Sequence, residues 1–255
     1  MKRHNAIKVV SDEILKSGLA EALFLKGSIA RSEDDDYSDV DMYVVVSPGN
    51  LDAFLRKRIQ YLERYKPLVF WCEENFVAPQ IVAVFDDALH FDLYTVKSDS
   101  IPQTDDIKIL YDKNGILDSY KKSPLNVSSD YIIKEISEFS FTLLEFEAAY
   151  ARKDYIWAIA LFHFQLKRIS FIMRFIFDTD NARLGLKRIR KAIPNEFYKE
   201  YVTILENATP SNILIAMKSL ILLADKLVFQ LPNEMQSKIN KEFFELMKGK
   251  IAILE

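Results

Sequence analysis

The stretch ALFLKGSIARSEDDDYSDVDMYVVV, from Ala22 to Val46, combines two apolar runs with a glycine, a serine and a pair of aspartates. The first run predicts a strand that ends at Gly27 and Ser28, where a glycine lets the backbone approach a ligand closely and N–H groups can bind phosphate. Asp39 and Asp41 open the second run, and residues two apart in a strand point to the same face. Paired carboxylates repel unless water or a cation neutralises them, and their oxygens suit Mg²⁺. The stretch therefore predicts a phosphate site beside a metal site.

A run of acidic residues can also form a solvated loop or a calcium-binding loop. In the first case, Asp39 and Asp41 belong to one exposed acidic segment together with residues 33 to 36. Against this, Asp41 precedes five apolar residues, and an unpaired charge entering a buried strand is costly. A calcium loop of the EF-hand type is excluded, because neither register supplies the required glycine and terminal glutamate.

The N-terminal half alternates strand and helix signals, which favours a mixed sheet covered by helices. Helices are predicted over residues 5 to 16 and between residues 51 and 65. Strands are predicted over residues 22 to 26, 40 to 46, 68 to 71, 81 to 85 and 89 to 96, with a further apolar run at 107 to 111.

From Tyr131 onward the apolar spacing becomes helical. Helices are predicted over residues 131 to 151, 155 to 177, 194 to 206, 212 to 230 and 234 to 253, with Asp154 as an N-cap. The fold class is therefore predicted to be α+β, with an N-terminal mixed-sheet domain over residues 1 to 122. A C-terminal α-helical bundle occupies residues 128 to 255, after a linker near Ser123 to Ser129.

Composition limits the classes of protein to consider. A chain of 255 residues with 49% hydrophobic residues can bury a substantial core, and a net charge of −3 gives no general reason to bind nucleic acid or an anionic membrane. One cysteine, Cys72, excludes an intrachain disulfide and is consistent with a reducing compartment. Lysines and acids interrupt any signal-like segment, and charges within the most apolar stretch, residues 213 to 231, argue against a membrane span. We expect a cytoplasmic protein.

Asp92 lies inside the apolar strand at residues 89 to 96, where a buried carboxylate requires a partner. Alternation places His90, Asp92 and Tyr94 on one face of that strand. His90 is therefore expected to look into the same site as Asp92.

Two cationic residues flank the predicted phosphate turn. Arg31 lies one helical turn after Ser28, so we predict that it reaches a nucleotide triphosphate. Strand alternation points Lys26 away relative to Leu25, which makes Arg31 the better candidate. An ion pair with the neighbouring acids accounts for Arg31 nearly as well.

Residues 25 to 31 with residues 37 to 41 resemble the signature of the DNA polymerase β-like nucleotidyltransferase superfamily. The later strand HFDLY at residues 90 to 94, the chain length and the helical C-terminal half are similar to the lincosamide and kanamycin nucleotidyltransferase branch. The similarity is carried by residues 22 to 118. It implies Mg²⁺-dependent transfer of a nucleoside monophosphate, AMP from ATP, to a hydroxyl of a small molecule such as a lincosamide or aminoglycoside antibiotic.

The resemblance also implies roles for individual residues. Asp39, Asp41 and Asp92 are expected to be the catalytic, metal-binding carboxylates. Gly27, Ser28, Arg31 and Lys167 are expected to bind the nucleotide, with Lys167 reaching its phosphates from the bundle. His90 departs from the family pattern, in which a carboxylate stands there. Asp92 is favoured over His90 as the general base, and a structural role for His90 is as well supported as a catalytic one.

Further polar residues of the bundle have two interpretations each. His163, Lys167, Ser170 and Arg174 form a stripe that can face a polar cleft or pair with acids of a neighbouring helix. Glu135, Glu138, Glu145 and Glu147 can line an acceptor pocket, although a solvated helix face is the more common meaning of such a run.

The resemblance leaves two alternative functions open. One is transfer of AMP to a protein, and the other is a non-catalytic nucleotide-sensing or partner-binding protein of the same fold. A homodimer and a role in antibiotic resistance are implied by analogy with the antibiotic enzymes. The bundle's net charge of +2, from 18 basic and 16 acidic residues, favours an acceptor less charged than an aminoglycoside.

Overall fold

The computed structural model describes residues 2 to 255, and the chain divides into two compact units whose boundary lies between Ser123 and Pro124. The N-terminal unit combines a sheet with helices, and the C-terminal unit is helical. The predicted α+β fold class is therefore confirmed. The boundary lies at the start of the predicted linker, and the roles predicted for the two domains stay predictions.

The N-terminal unit is built from short helices and one sheet. In the described residues, its helices are α1 (Lys2–Lys16), α2 (Gly27–Ala30), α3 (Leu51–Leu55) and α4 (Arg58–Glu63), and its strands are β1 (Ala20–Leu25), β2 (Val40–Val46), β3 (Leu68–Glu74), β4 (Gln80–Phe85), β5 (His90–Val96) and β6 (Lys108–Asp112). Short 3-10 turns occur at Pro48–Asn50 and Ser98–Ser100. The single helix predicted between residues 51 and 65 is two helices, α3 and α4, separated by a turn at Arg56 and Lys57.

The strand order is β3-β4-β5-β2-β1-β6, and the β2–β5 pair is parallel while the other pairs are antiparallel. One face of the sheet packs against helices, in a core that includes Val10, Phe54, Met42 and Leu93. On the other face, a smaller apolar cluster includes Tyr43 and residues of the 101 to 117 segment. Both faces of β2 are thus largely buried, which explains its nearly continuous apolar run.

The C-terminal unit is a bundle of helices. Its helices are α5 (Ser129–Ala151), α6 (Tyr155–Phe177), α7 (Asn195–Glu206), α8 (Ile213–Gln230), α9 (Asn233–Lys238) and α10 (Lys241–Ala252), with 3-10 turns at Thr179–Leu184 and Ile189–Lys191. The N-cap predicted at Asp154 is confirmed, since its carboxylate accepts the Trp157 N–H at 3.3 Å. The helix predicted over residues 234 to 253 is interrupted, because Ile239 is extended and Asn240 caps a new helix.

Helix α6 is long and apolar enough to cross a membrane, and it is the one such helix among residues 2 to 255. Half of its apolar window is buried inside the protein, where α6 packs against α5 and α8. A core helix of a bundle has these same properties, so length and apolarity do not mark α6 as a membrane span.

The polar stripe predicted on α6 is only partly exposed. His163 and Lys167 are exposed, but Ser170 and Arg174 are buried. The Arg174 Nε donates to the Gly185 carbonyl at 2.6 Å, and the guanidinium also pairs with Asp178. The interpretation in which all four residues face a cleft is therefore wrong, because Arg174 holds the turn after α6 from inside the core.

Candidate active site

The backbone at Gly27 lies directly against Asp41. Gly27 follows the end of β1 and has a φ of +67°, a conformation that residues with a side chain rarely adopt. A Cβ at this position would overlap the Asp41 Oδ2 atom, well inside van der Waals contact. The neighbouring Lys26 N–H donates to the Asp41 carbonyl at 3.0 Å. Glycine thus suits this position, both for its conformation and because a carboxylate lies where a Cβ would be.

The parallel register of β2 and β5 brings together residues that are about 50 positions apart in the chain. Asp41 is paired with Asp92, and Tyr43 is paired with Tyr94. Laterally paired residues in a sheet point to the same face. The two tyrosine rings confirm this register, because they stack with centroids 4.2 Å apart and planes 7° apart. Asp41 and Asp92 therefore lie on one face of the sheet.

Asp39, which precedes β2, completes a cluster with His90 and Asp92. One ligand atom from each of the three lies within 4.8 Å of those of the others. His90 Nε2 is 3.1 Å from Asp92 Oδ1, and His90 Nδ1 is 3.8 Å from Asp39 Oδ2. The structure thus places His90 and Asp92 on the same face, as strand alternation predicted.

The electrostatics of the cluster are dominated by its carboxylates. The hydrogen bond to Asp92 raises the pKa of His90, and the charges of Asp92, Asp39 and Asp41 act in the same direction, while burial opposes them. Asp92 is itself buried, with 7% of its surface exposed. Three carboxylates concentrated around one histidine make a strongly cation-attracting site.

The donor atoms fit a divalent cation. Asp39 and Asp92 supply hard carboxylate oxygens and His90 an imidazole nitrogen within 4.8 Å of one another, while Asp41 stands beside Asp92 in the strand register but is not part of that group. The absent Cβ of Gly27 leaves room for the Asp41 carboxylate.

Arg31 is held by acidic residues in this structure. Its Nε is 3.0 Å from Glu33 Oε2, and its guanidinium also pairs with Asp105. The structure therefore contains the ion pairs that were the alternative interpretation of Arg31. The predicted contact of Arg31 with phosphate stays a prediction. Ser28 is half-buried at the second position of α2.

Lys26 is a polar residue of this region whose side chain was predicted, from strand alternation, to point away relative to Leu25. Leu25 faces the helix-covered core, so alternation places Lys26 on the face of Tyr43, and its Nζ lies 5.1 Å from the centroid of that ring. The Nζ donates to the Thr104 carbonyl at 2.8 Å. Burial lowers the pKa of Lys26 to about 8, against the opposing charges of Asp105 and Asp41. Alternation along β1 shows that Lys26 and Leu25 point to opposite faces, but only the packing of Leu25 in the core decides which face Lys26 occupies.

Lys167 lies on α6 in the bundle and is exposed. Its Nζ is 6.0 Å from the centroid of the Phe171 ring. Its predicted role in nucleotide binding stays a prediction.

No family model and no curated protein matches the chain. Among solved structures, the chain is similar to an aminoglycoside 6-adenyltransferase from Bacillus subtilis, with 12% identity, 96% of each chain covered and a TM-score of 0.41. Similarity at this level does not assign an activity.

Proposed function

We propose that this chain is a metal-dependent nucleotidyltransferase that moves AMP from ATP to a hydroxyl of a small molecule. The observation that carries the proposal is the β2–β5 register, which sets Asp41 beside Asp92 on one face while the Asp41 carboxylate lies against the backbone of Gly27. A phosphate-binding turn and a carboxylate cluster are the two parts that this reaction requires.

Asp39, Asp41 and Asp92 would hold the metal, for which we propose Mg²⁺. When bound, such an ion neutralises phosphate charge and lowers the pKa of the attacking hydroxyl. Gly27 and Ser28 would bind the phosphates through the backbone and the hydroxyl. Arg31 would exchange one of its carboxylate partners for a phosphate oxygen, and Lys167 would supply a second cation.

Asp92 is the better candidate for the general base. The hydrogen bond to Asp92 raises the pKa of His90, and it engages the Nε2 atom of that ring. His90 instead orients the Asp92 carboxylate through the 3.1 Å hydrogen bond. In the proposed step, the acceptor O–H proton passes to Asp92, the acceptor oxygen bonds to the α-phosphorus, and the bond from that phosphorus to pyrophosphate breaks.

Lincosamides and aminoglycosides, which the sequence resemblance implies, are the first acceptors to test. A resistance role, a cytoplasmic location and a homodimer belong to the same proposal and rest on that resemblance.

The test is to incubate the protein with Mg²⁺, each of the four nucleoside triphosphates and a panel of these acceptors, and to measure pyrophosphate release and product mass. Asp41→Asn is the inactive variant, because it removes one carboxylate charge with little change in shape. Asp36→Asn is the matched control, since Asp36 belongs to the exposed acidic run. If Asp41 belonged only to a solvated acidic loop, Asp41→Asn and Asp36→Asn would have equal effects on activity.

The expected result is a mass gain of one nucleotide on one acceptor, lost in Asp41→Asn and kept in Asp36→Asn. Mg²⁺-dependent nucleotide binding without any product would instead favour the nucleotide-sensing alternative, and a labelled protein would favour AMP transfer to a protein. Equal activity of wild type and Asp41→Asn would contradict the proposed site.

A further inference from the structure

A groove of about 600 Å³ runs along the surface of the bundle between α5 and α6. A volume of this size is typical of sites for small ligands. Its lining includes Glu138, Phe141 and Glu145 of α5 and Trp157, Phe164 and Arg168 of α6.

The groove is built from two stripes with the same helical spacing. On α5 the stripe is residues 131, 135, 138, 142 and 145, and on α6 it is residues 157, 161, 164, 168 and 171. Spacings of four and three residues place side chains on one face of a helix. Each helix thus directs one continuous face into the groove.

Three aromatic side chains of the groove are exposed. Phe141, Trp157 and Phe164 have 51%, 46% and 52% of their surfaces exposed. A cluster of exposed large apolar side chains in a concave site is a mark of ligand binding, because each exposed ring loses the free energy that burial would provide.

The charges of the groove are distributed unevenly. At one end, Arg168 lies 3.6 Å from Glu135 and 3.4 Å from Glu138, so these carboxylates have a cation. Toward the other end, Glu145 lies in the stretch lined by Phe141 and Trp157 and forms no ion pair with any residue that the structure describes. Glu147, the fourth glutamate of this helix, is not among the groove residues and forms an ion pair with Lys250.

We propose that the α5–α6 groove binds an organic cation, with one protonated amine at Glu145 and an apolar body against Phe141, Trp157 and Phe164. Aromatic rings attract cations through their faces, and a nearby carboxylate adds a direct charge pair. A single unpaired carboxylate selects a ligand with one amine over a polycation.

Binding can be measured without nucleotide or metal. Trp157 and Trp71 are the two tryptophans of the chain, so a Trp71→Phe background leaves Trp157 as the reporter of the groove. The probes are cyclohexylmethylammonium and its neutral counterpart cyclohexylmethanol, which have the same ring and do not absorb near tryptophan. Each is titrated to about 50 mM, a range that reaches millimolar affinities, at constant ionic strength while Trp157 emission is followed.

We expect saturable binding of the ammonium probe, tighter than that of the alcohol by up to about fivefold, the upper end of what one exposed charge pair provides. Glu145→Gln removes this preference and leaves alcohol binding unchanged. Glu206→Gln, which neutralises another exposed glutamate of the bundle outside the groove, keeps the preference. No saturable response to the ammonium probe, or a preference that survives Glu145→Gln, would overturn the proposal.

The result of this binding test is independent of whether the proposed nucleotidyl transfer occurs. Asp41→Asn, which is expected to abolish transfer, leaves the Trp157 response intact if the groove is a binding site in its own right. A groove that binds the cation in a protein without transferase activity would keep this inference.

Discussion

The candidate active site and the α5–α6 groove are assembled in opposite ways. In the sheet, Asp41 and Asp92 meet only because β2 and β5 pair in parallel with one particular register. In the bundle, each wall of the groove is a single helix whose spacing already gathers its residues on one face.

This difference determines how easily each site is disturbed. A one-residue slip of β5 against β2 would turn Asp92 to the opposite face and remove it from the cluster. A helix stripe has no such register to lose, and a substitution there changes one contact. We therefore expect large, all-or-none effects in the sheet site and graded effects in the bundle.

The largest effect is expected from removing either paired carboxylate. Asp41→Asn and Asp92→Asn should each lower turnover by about 10³-fold, because an amide does not neutralise a cation or accept the acceptor's proton. Single-turnover assays with saturating Mg²⁺ and ATP measure this. Thermal unfolding is the control, and a melting temperature at or above that of wild type would show that the fold is intact.

Gly27→Ala tests whether the contact between the turn and the strand matters beyond backbone conformation. Gly18 is the matched control, since its φ of +69° is nearly the same but a Cβ there meets no atom within 4 Å. Gly18→Ala should cost about 1 kcal/mol from backbone strain. Gly27→Ala should cost more and weaken Mg²⁺-dependent nucleotide binding, as measured by denaturant unfolding and calorimetry. Equal costs and unchanged binding would show that the overlap with Asp41 is relieved without consequence.

Lys26 should give the N-terminal unit a distinctive dependence of stability on pH. Its pKa of about 8 in the folded protein lies below the ordinary lysine value of 10.5. Between these values the unfolded chain binds more protons than the folded one, so this group makes stability rise from about pH 8 to 10. We expect urea unfolding of wild type to show this rise relative to Lys26→Met. Lys8→Met, at an exposed lysine, should leave the slope of wild type unchanged.

The smallest effect is expected at a helix cap in the bundle. Asp154→Ala removes the side-chain acceptor for the Trp157 N–H and should cost about 1 kcal/mol. Asp180→Ala, at an exposed acid that does not cap a long helix, should change the free energy of unfolding much less. A loss of several kcal/mol at Asp154 would mean that the bundle depends on long-range contacts as strongly as the sheet does.

Much of the fold was predictable because its signals are local. The apolar run from Val40 to Val46 and the helical spacing from Tyr131 to Phe177 are set by neighbouring residues, and those strands and helices occur where the sequence placed them. The bounds of α9 and α10 were not predictable, because the extended Ile239 interrupts an apolar pattern that continues across it.

The sequence by itself determined which residues are chemically unusual: a glycine before a serine, two aspartates at the start of a strand, and Asp92 within an apolar run. Only the tertiary structure decided that Asp92 stands beside Asp41, that His90 bridges toward Asp39, and that Arg31 is held by Asp105. The physical reason is that strand register and loop position depend on contacts between residues far apart in the chain, whereas periodicity depends on residues within a few positions of each other.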